Sequence, residues 1–394
     1  MDELSPEILA NIFSFLPAKD VASVSLVSRK LYDSTKIEAI WRSRCLREYG
    51  VLPIHKDGMS HRELYIKVLY PYGNILGLWQ PQVASYGGLL QVKFEKIKRT
   101  LEATELLPPR DPDILSVLRR KPLFRIQLSD DGQAEVLCIG GNREPHKAEI
   151  AKVRQNEFTF RCCNPDLHKH PSGRHEDLLL AWLREESSAP LGSFHLFPHT
   201  QELLMMKFLI LRQFNFNYQY CRIHAPKVST QVPIKPGIFK GTYGAHGVEL
   251  IMLSYEEHLG KAKAVKITGD PNVPAGKVSF QVDLNYWMIL TVSQQYTVGD
   301  LEAIIPCSIR SEEVTKRPLS QPFRVPRNCH QRYHEVPDMC TARYHGLGQV
   351  AAHGFANPSF IPGHWIIFNE DLFGFLWLEL MTLGVYHRVQ EDLS

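Results

Sequence analysis

Over the first 50 residues apolar side chains recur at three- and four-residue steps, and from about residue 73 the spacing switches to alternation. A small helical unit must therefore precede a body of strands. Ser5 can accept from the free amides of a first turn, Pro6 stands where a missing N–H costs nothing, and Glu7 suits the positive helix end. Ile8, Leu9, Ile12, Phe13 and Leu16 follow on one face, Pro17 ends the segment, and Asp20 offers a second N-cap before Val21, Val24, Val27 and Leu31. A third short helix carries Ile37, Ile40 and Trp41. Three helices in so short a span bury too little apolar surface to stand alone, so the excess predicts a partner. The plain alternative is an amphipathic cap packed on the chain's own body.

The spacing of Leu64, Val68 and Leu69 predicts a connecting helix within residues 51–72, closed by the turn-forming PYGN at 71–74. Beyond it YGGLLQVKFE, KPLFRIQLS, QAEVLCIGG and KVSFQVDL alternate β-branched or aromatic residues between Gly, Pro and Asp. HWIIFNEDLFGFLWLELM reads as two strands turned at Asn369, Glu370 and Asp371. The expected class is α+β, with a three-helix unit over 1–50 and an antiparallel β-barrel over 73–394, because closure removes exposed edges. Two core-facing helices are expected as an insert over 174–214, including ELLMMKFLIL, and the Pro- and charge-rich stretch 311–345 reads as a long loop. The run KFEKIKRT at 93–100 reads as a solvated edge strand.

A net charge of +3 is too mild to argue for nucleic acid, and no apolar run reaches the roughly 20 residues of a membrane helix. The acidic start MDELSPE lacks the order of a signal peptide, and eight scattered cysteines fit a reduced compartment, cytosol or nucleus. No G-x-S-x-G, H-E-x-x-H or RING-like cysteine set is present, and His175-Glu176 is followed by leucines, which argues against an enzyme.

The order Leu-x-Pro-Glu-Ile-Leu, Ile-Phe-x-x-Leu-Pro, Leu-Val-x-x-x-Leu and a later Ile-Trp resembles the F-box. The resemblance implies that Leu4, Pro6, Ile8, Leu9, Ile12 and Phe13 form the module or its contact with the Skp adaptor of a cullin-RING ubiquitin ligase. Leu16, Pro17, Leu26, Val27 and Trp41 complete that set, in a helix-in-groove mode. The motif begins almost at the first residue, so little extra N-terminal contact with the adaptor is expected.

ILGLWQP at 75–81, YGGLL at 86–90, IKPGIFKGTYGAHGVELIMLS at 234–254, KITGDPNVPAG at 266–276 and GHWIIFNEDLFGFLWLEL resemble one family of F-box substrate receptors over nearly the whole chain. The chain departs from it near 290–325, where that family carries a longer low-complexity insertion. The resemblance implies a non-catalytic ubiquitin-ligase subunit that holds the C-terminal segment of a target, D-type cyclins among them, and acts by proximity. It also implies a structural zinc ion on Cys138, His146, Cys162 and His168, placed in an insert spanning 138–168. Thiolate and imidazole suit tetrahedral zinc, and four protein ligands leave no open position. Cys163 and His170 stand close enough to substitute for the second pair. The bland reading is a buried thiol at Cys138 and two solvated histidines. A further group, Cys329, His330, His334, Cys340 and His345, holds metal-capable residues, but it lacks strand framing and the spacing of a closed site, and its histidines read as solvated.

In KITGDPNVPAG, Gly269 permits unusual dihedrals, Pro271 and Pro274 stiffen the chain and Asp270 can bond local amides, so a rigid turn is the simple reading. The resemblance makes Lys266, Thr268 and Asp270 pocket residues; separately, KGTYGAHG at 240–247 can add Tyr243 and His246 to the rim, although an aromatic beside glycines is as often plain barrel packing. A terminal carboxylate favours Lys266; a terminal amide favours Asp270. A different class remains open, a small-molecule or lipid-binding barrel with a helical docking module.

Overall fold

The computed structural model describes residues 4–52, 60–110, 112–140, 144–186, 198–213, 216–226, 232–256, 260–304, 320–332 and 335–393. Helix α1 (Pro6–Phe15) starts as its cap residues require, with Ser5 accepting from the Ile8 N–H at 3.4 Å. Pro17, and not Asp20, stands at the N-cap of α2 (Ala18–Val24), and Asp20 lies in its first turn. The stretch read as one second helix is broken by Ser28, which accepts from the Leu31 N–H and caps α3 (Arg29–Ser34). With α4 (Glu38–Tyr49) the unit has four helices among the described residues, one more than the apolar spacing predicts. A serine side chain offers the backbone an alternative partner, and that local choice splits the helix.

Ser60 and Glu63 form a capping box that opens α5 (His61–Leu64), which continues through a π-helical turn, Tyr65–Leu69, into α6 (Tyr70–Tyr72). Trp41 packs on Tyr65 with ring centroids 5.2 Å apart, and its indole N–H donates to the Thr35 carbonyl at 2.7 Å. Arg44, fully buried, donates to the Phe13 and Leu16 carbonyls at the end of α1 and to Glu48 at 2.7 Å, so the cation caps the helix it crosses.

The first barrel runs through β1 (Gly77–Pro81), β2 (Leu90–Glu95), β3 (Thr100–Leu107), β4 (Arg119–Leu128), β5 (Ala134–Cys138), β6 (His146–Ala151) and β7 (Glu157–Cys162). Helices α7 (His175–Glu186) and α8 (Pro198–Gln213) precede β8 (Asn217–Arg222), which closes the ring on β1 with Gln80 opposite Cys221. The strand expected at 93–100 is a hairpin instead: Lys93–Glu95 finish β2, Lys96–Arg99 turn, and Thr100 opens β3. A closed ring has no edge for those lysines to protect.

The second ring holds β9 (Gly237–Thr242), β10 (Val248–Glu256), β11 (Lys261–Lys266) and β12 (Val278–Trp287), followed by the short α9 (Val298–Glu302). Next come β13 (Gln321–Pro322), β14 (His330–Gln331), β15 (Met339–Cys340), β16 (Ala342–Ala352), β17 (Ala356–Ile367), β18 (Leu372–Trp377) and β19 (Thr382–Arg388). Strands β9–β12 and β16–β19 close through Gly241 opposite Tyr386, and β14 adds to β19 in parallel. The α+β class and the antiparallel barrel region stand as expected, with the strands arranged as two closed rings.

The long loop expected over 311–345 is only partly a loop. Residues 311–319 lie outside the described residues, whereas β13 pairs with β15 and the chain enters β16 at Ala342. Cys340 is buried in the apolar core beside Phe323 and Phe368, and His345 is half-buried with its ring 5.1 Å from that of His364. His330 is exposed as expected, and His334 lies outside the described residues.

Aromatic side chains fill both rings. Trp79, Phe124, Phe158, Phe160 and Tyr220 occupy the first, with Phe158 stacked on Tyr220 at 4.7 Å. Phe280, Phe373, Phe375 and Tyr386 occupy the second, with Phe280 stacked on Phe375 at 4.4 Å. Gly348 and Gly363 leave room for them: a Cβ at Gly348 would stand 2.2 Å from the Trp377 indole nitrogen, and one at Gly363 2.6 Å from Phe375.

One apolar core runs from Leu9, Phe13 and Trp41 through Val68 and Ile75 into Trp79, Phe124 and Phe158. The helical unit and the first barrel therefore share their stabilisation. Phe13→Ala is expected to cost about 3–5 kcal/mol and to lower the unfolding temperature of helices and strands together. Leu26→Ala, at an exposed position, is expected to change stability by less than about 0.5 kcal/mol. Separate transitions for helices and barrel on thermal unfolding of Phe13→Ala would contradict the shared core.

Candidate metal centre and peptide pocket

Three consecutive strands of the first barrel bring the Cys and His side chains to one end. Cys138 closes β5 and lies opposite His146 at the start of β6, and Cys162 closes β7. The turn Pro165–His168 then folds His168 back onto them. His146 Nε2 stands 3.1 Å from Cys162 Sγ and 3.2 Å from His168 Nε2, and His168 Nε2 is 3.3 Å from Cys162 Sγ and 3.5 Å from Cys138 Sγ. All four donor atoms lie within 4.8 Å of one another. Metal–ligand bonds of about 2.0–2.3 Å arranged tetrahedrally place donors roughly 3.3–3.8 Å apart, so the set fits such an ion. Cys163 points outward and is exposed, and His170 accepts from or donates to Ser172 Oγ at 2.8 Å; neither joins the cluster.

Burial, with His146 adding to it, holds His168 down to about 4, which keeps its imidazole neutral and able to ligate. Phe216 stacks on the His168 ring at 3.6 Å, and the Asn164 N–H donates to Cys162 Sγ at 3.2 Å, so the shell around the ligands is ordered by packing and by a backbone donor. The expectation of an insert is corrected here: three of the four residues belong to barrel strands, and strand register rather than an excursion assembles them.

The second site lies where the rings meet. After β11 the segment Ile267–Ala275 is gripped by the backbone of Ser85–Gly88: Gly269 N–H bonds the Tyr86 carbonyl at 3.0 Å, Ala275 N–H the Ser85 carbonyl at 2.9 Å, and Gly88 N–H the Ile267 carbonyl at 3.2 Å. Gly269 serves close approach here rather than an unusual dihedral, since a Cβ would stand 2.2 Å from the Ala275 nitrogen and 2.7 Å from the Ser85 carbonyl. Asp270 Oδ1 accepts from the Asn272 and Val273 amides at 2.7 and 2.9 Å, while Oδ2 accepts from Lys266 Nζ at 2.5 Å.

Lys266 Nζ also lies 2.6 Å from Glu249 Oε2 on β10 and 4.1 Å above the Tyr243 ring. All three charged residues are buried. Burial alone works against the Asp270 carboxylate, but the Lys266 ammonium, His246 and the backbone donors outweigh it and hold it down to about 2. Burial opposes the Lys266 charge too, and the two carboxyls overcome it, raising its pKa. Glu249 is pushed well above the usual carboxylate range by burial and by the neighbouring Asp270 carboxylate, only partly offset by Lys266. The group thus carries one cation, one firm anion and one carboxyl whose ionisation burial opposes.

Sequence reading placed Lys266, Thr268, Asp270, Tyr243 and His246 at this site, and the fold gathers them with different parts to play. His246 Nε2 stands 3.8 Å from Asp270 Oδ1 at the cavity wall. Thr268 Oγ1 accepts from the Leu250 N–H at 2.7 Å, which fastens the loop to β10. Tyr243 is beneath the group and not on a rim: its hydroxyl bonds Ser279 Oγ at 2.6 Å while its ring faces Lys266. Glu249 was missed, although a lone acid in the apolar run GVELIML is a sequence signal for a buried, partnered charge. A cavity of about 1180 Å³ opens in front of Thr268–Pro271, walled by β-strand residues of the first ring and by α7 and α8.

The residues of the helical motif divide by burial. Leu9, Phe13 and Trp41 are interior, and Leu4, Ile12 and Leu16 half-buried; Pro6 and Pro17 are exposed, as are Ile8 at 50%, Val27 at 72% and Leu26 at 88%. Phe15, 77% exposed and overlooked by the motif, joins this outer apolar set.

A family described as F-box-like matches residues 2–47, which is the four-helix unit, and one described as Cyclin D1 binding domain matches residues 220–392, which contains the second ring. F-box only protein 31 of Rattus norvegicus and of Homo sapiens are each 36% identical, over 98% of this chain and 84% and 83% of their own lengths. The chain belongs to the F-box only protein 31 family. F-box only protein 31-B of Xenopus laevis is likewise 36% identical over 99% of the chain. Membership of the F-box only protein 31 family makes this an F-box protein, and no described helix is long and apolar enough to cross a membrane.

Asp270 gives a pH signature. Its folded pKa lies below the ordinary value, so its stabilisation is complete above the unfolded pKa of about 3.9 and fades as pH falls towards about 2. Asp270→Asn lacks that contribution at every pH. The stability gap between wild type and variant, measured by denaturant unfolding, is expected to narrow from pH 5 to pH 2; a constant gap would rule out an ionised Asp270.

Proposed function

We propose that the protein is a non-catalytic substrate receptor of a Skp–cullin–F-box ubiquitin ligase, binding the C-terminal segments of target proteins. The observation that carries this reading is the Glu249–Lys266–Asp270 group, buried at the head of a cavity large enough for several residues and fixed in one core with the F-box-like helices. The outer apolar set Ile8, Phe15, Leu26 and Val27 is the face offered to the Skp adaptor, while Leu9, Phe13 and Trp41 shape it from inside. D-type cyclins are the targets suggested by the cyclin D1 binding description of the matching region.

Charge decides between a terminal carboxylate and a terminal amide. Lys266 already touches two carboxyls, so an incoming carboxylate meets a firm anion and no uncommitted cation in this group. A carboxamide is uncharged, so it adds no further negative charge beside Asp270 and Glu249, and it brings N–H donors to a wall that holds a firm carboxylate. The pocket therefore selects the amide form. A lipid-carrying barrel needs a lumen, and the described aromatic residues fill both rings.

A pulldown and a peptide titration test the two ends. Leu26→Asp with Val27→Asp is expected to abolish capture of adaptor and cullin without loss of fold, and unchanged capture would remove the docking role. Deleting residues 1–50 is unsuitable, because it strips the shared core. Peptides ending in carboxamide are expected to bind at least about tenfold more tightly than the same peptides with a free carboxylate, and Asp270→Asn to erase the difference. Equal binding of both forms to wild type would overturn the selection.

The Cys138, His146, Cys162 and His168 cluster is the site we assign to a structural zinc ion, whose bonds would fasten β5, β6 and β7 to the turn carrying His168. Native mass spectrometry is expected to find one zinc per chain and none in Cys162→Ala, with a lower unfolding temperature in the variant. Metal-free wild type with unchanged stability under chelation would sink this assignment.

A further inference from the structure

Beyond the Asp270 end, the same cavity has an apolar wall that the terminal-group reading does not use. Leu178, Ala181 and Trp182 of α7 and Leu204, Phe208 and Leu211 of α8 line it, at three- and four-residue steps on each helix. These positions form one face of each helix. Trp182 and Phe208 meet at 5.5 Å between ring centroids. Apart from Phe208 the six are only half-buried, so the helices hold apolar surface against the cavity rather than in a packed core. This accounts for the departure of α8 from the core helix its composition predicts, and Leu209 on its outer face is 57% exposed.

The wall is held firmly and its charges are spent. Arg110 and Arg119 donate to the Arg184 and Glu185 carbonyls at the end of α7. Glu186 joins α7 to β4 through Arg119 at 3.2 Å and to α8 through Lys207 at 3.0 Å. Those contacts leave the selective force of this surface to shape and apolarity.

Its position fixes what it reads. Helix α8 packs against the turn Gly244–His246, and His246 stands 3.8 Å from Asp270, so the wall continues directly from the terminal-group site. At about 1180 Å³ the cavity exceeds the 300–1,000 Å³ or so typical of small-molecule pockets, which suits an entering chain. We propose that the α7–α8 wall, centred on Trp182 and Phe208, is a specificity subsite that binds a bulky apolar side chain upstream of the target's C-terminal residue. The inference rests on the receptor reading above and adds a second selected position to it.

The test uses the full-length protein and carboxamide-ended peptides in which each of the five residues before the last is Leu or Ser in turn. Wild type is expected to prefer Leu at one position by about tenfold, the scale of burying one aliphatic side chain. Phe208→Ala and, separately, Leu204→Ser are expected to flatten that preference to under about threefold while leaving amide-over-acid discrimination intact. As a measurement free of variants, photo-leucine at the preferred position is expected to crosslink to residues 178–186 or 202–212 of wild type. Crosslinks confined to other segments, or a preference unchanged in both variants, overturn the subsite. Wild type that discriminates the terminal group but no upstream side chain overturns the subsite alone; wild type that binds no peptide overturns both readings.

Discussion

The seam between the two rings is the constraint on which the rest depends. Backbone groups of Ser85–Gly88 and Ile267–Ala275 bond each other directly, and Gln80 Nε2 adds a bond to the Ile267 carbonyl at 2.7 Å. Backbone pairing of this kind fixes distance and direction more tightly than side-chain contact, because unpaired buried amides and carbonyls are costly. It delivers Asp270 into a cavity whose far wall belongs to the first ring. Neither ring alone encloses that space.

At the head of the cavity, burial binds three ordinary charged residues to one another. Removing Lys266, Glu249 and Asp270 from water is expensive, and the mutual contacts at 2.5–2.6 Å recover the cost only while all three stay together. The arrangement uses up the cation that a sequence reading would offer to an anionic ligand. What faces the cavity beside it is a fixed carboxylate whose cation is already engaged. The continuous core from the helices to the first barrel then holds this pocket in a set relation to the exposed apolar face near Leu26 and Val27. Rigid spacing of that kind is what a receptor acting by proximity requires.

Much of this was legible in the residues. The cap at Ser5 and Pro6, the switch from helical to alternating spacing near residue 73, and the turn at Asn369–Asp371 are local signals, and the chain obeys them. The four donors at Cys138, His146, Cys162 and His168 are those the family resemblance implies, where spacing alone leaves Cys163 and His170 open, and the structure gathers those same four. Local signals failed where a distant partner decided. Lys96 to Arg99 turn between strands because the ring closes, and α8 stays half-buried because it borders a cavity that no periodicity can show. Glu249 went unseen because its partners lie on another strand and a loop.

By itself, then, the sequence determined the helical unit, the strand-rich body and the turn around Asp270, since each rests on contacts a few residues apart, while the choice of four metal-competent residues needed the family resemblance. Tertiary structure alone decided that the strands form two rings instead of one, that Lys266 is spent on two carboxyls, and that α7 and α8 wall a shared cavity. Strand pairing and charge partnership join residues far apart in the chain, and only the folded geometry says which of many possible partners each one meets.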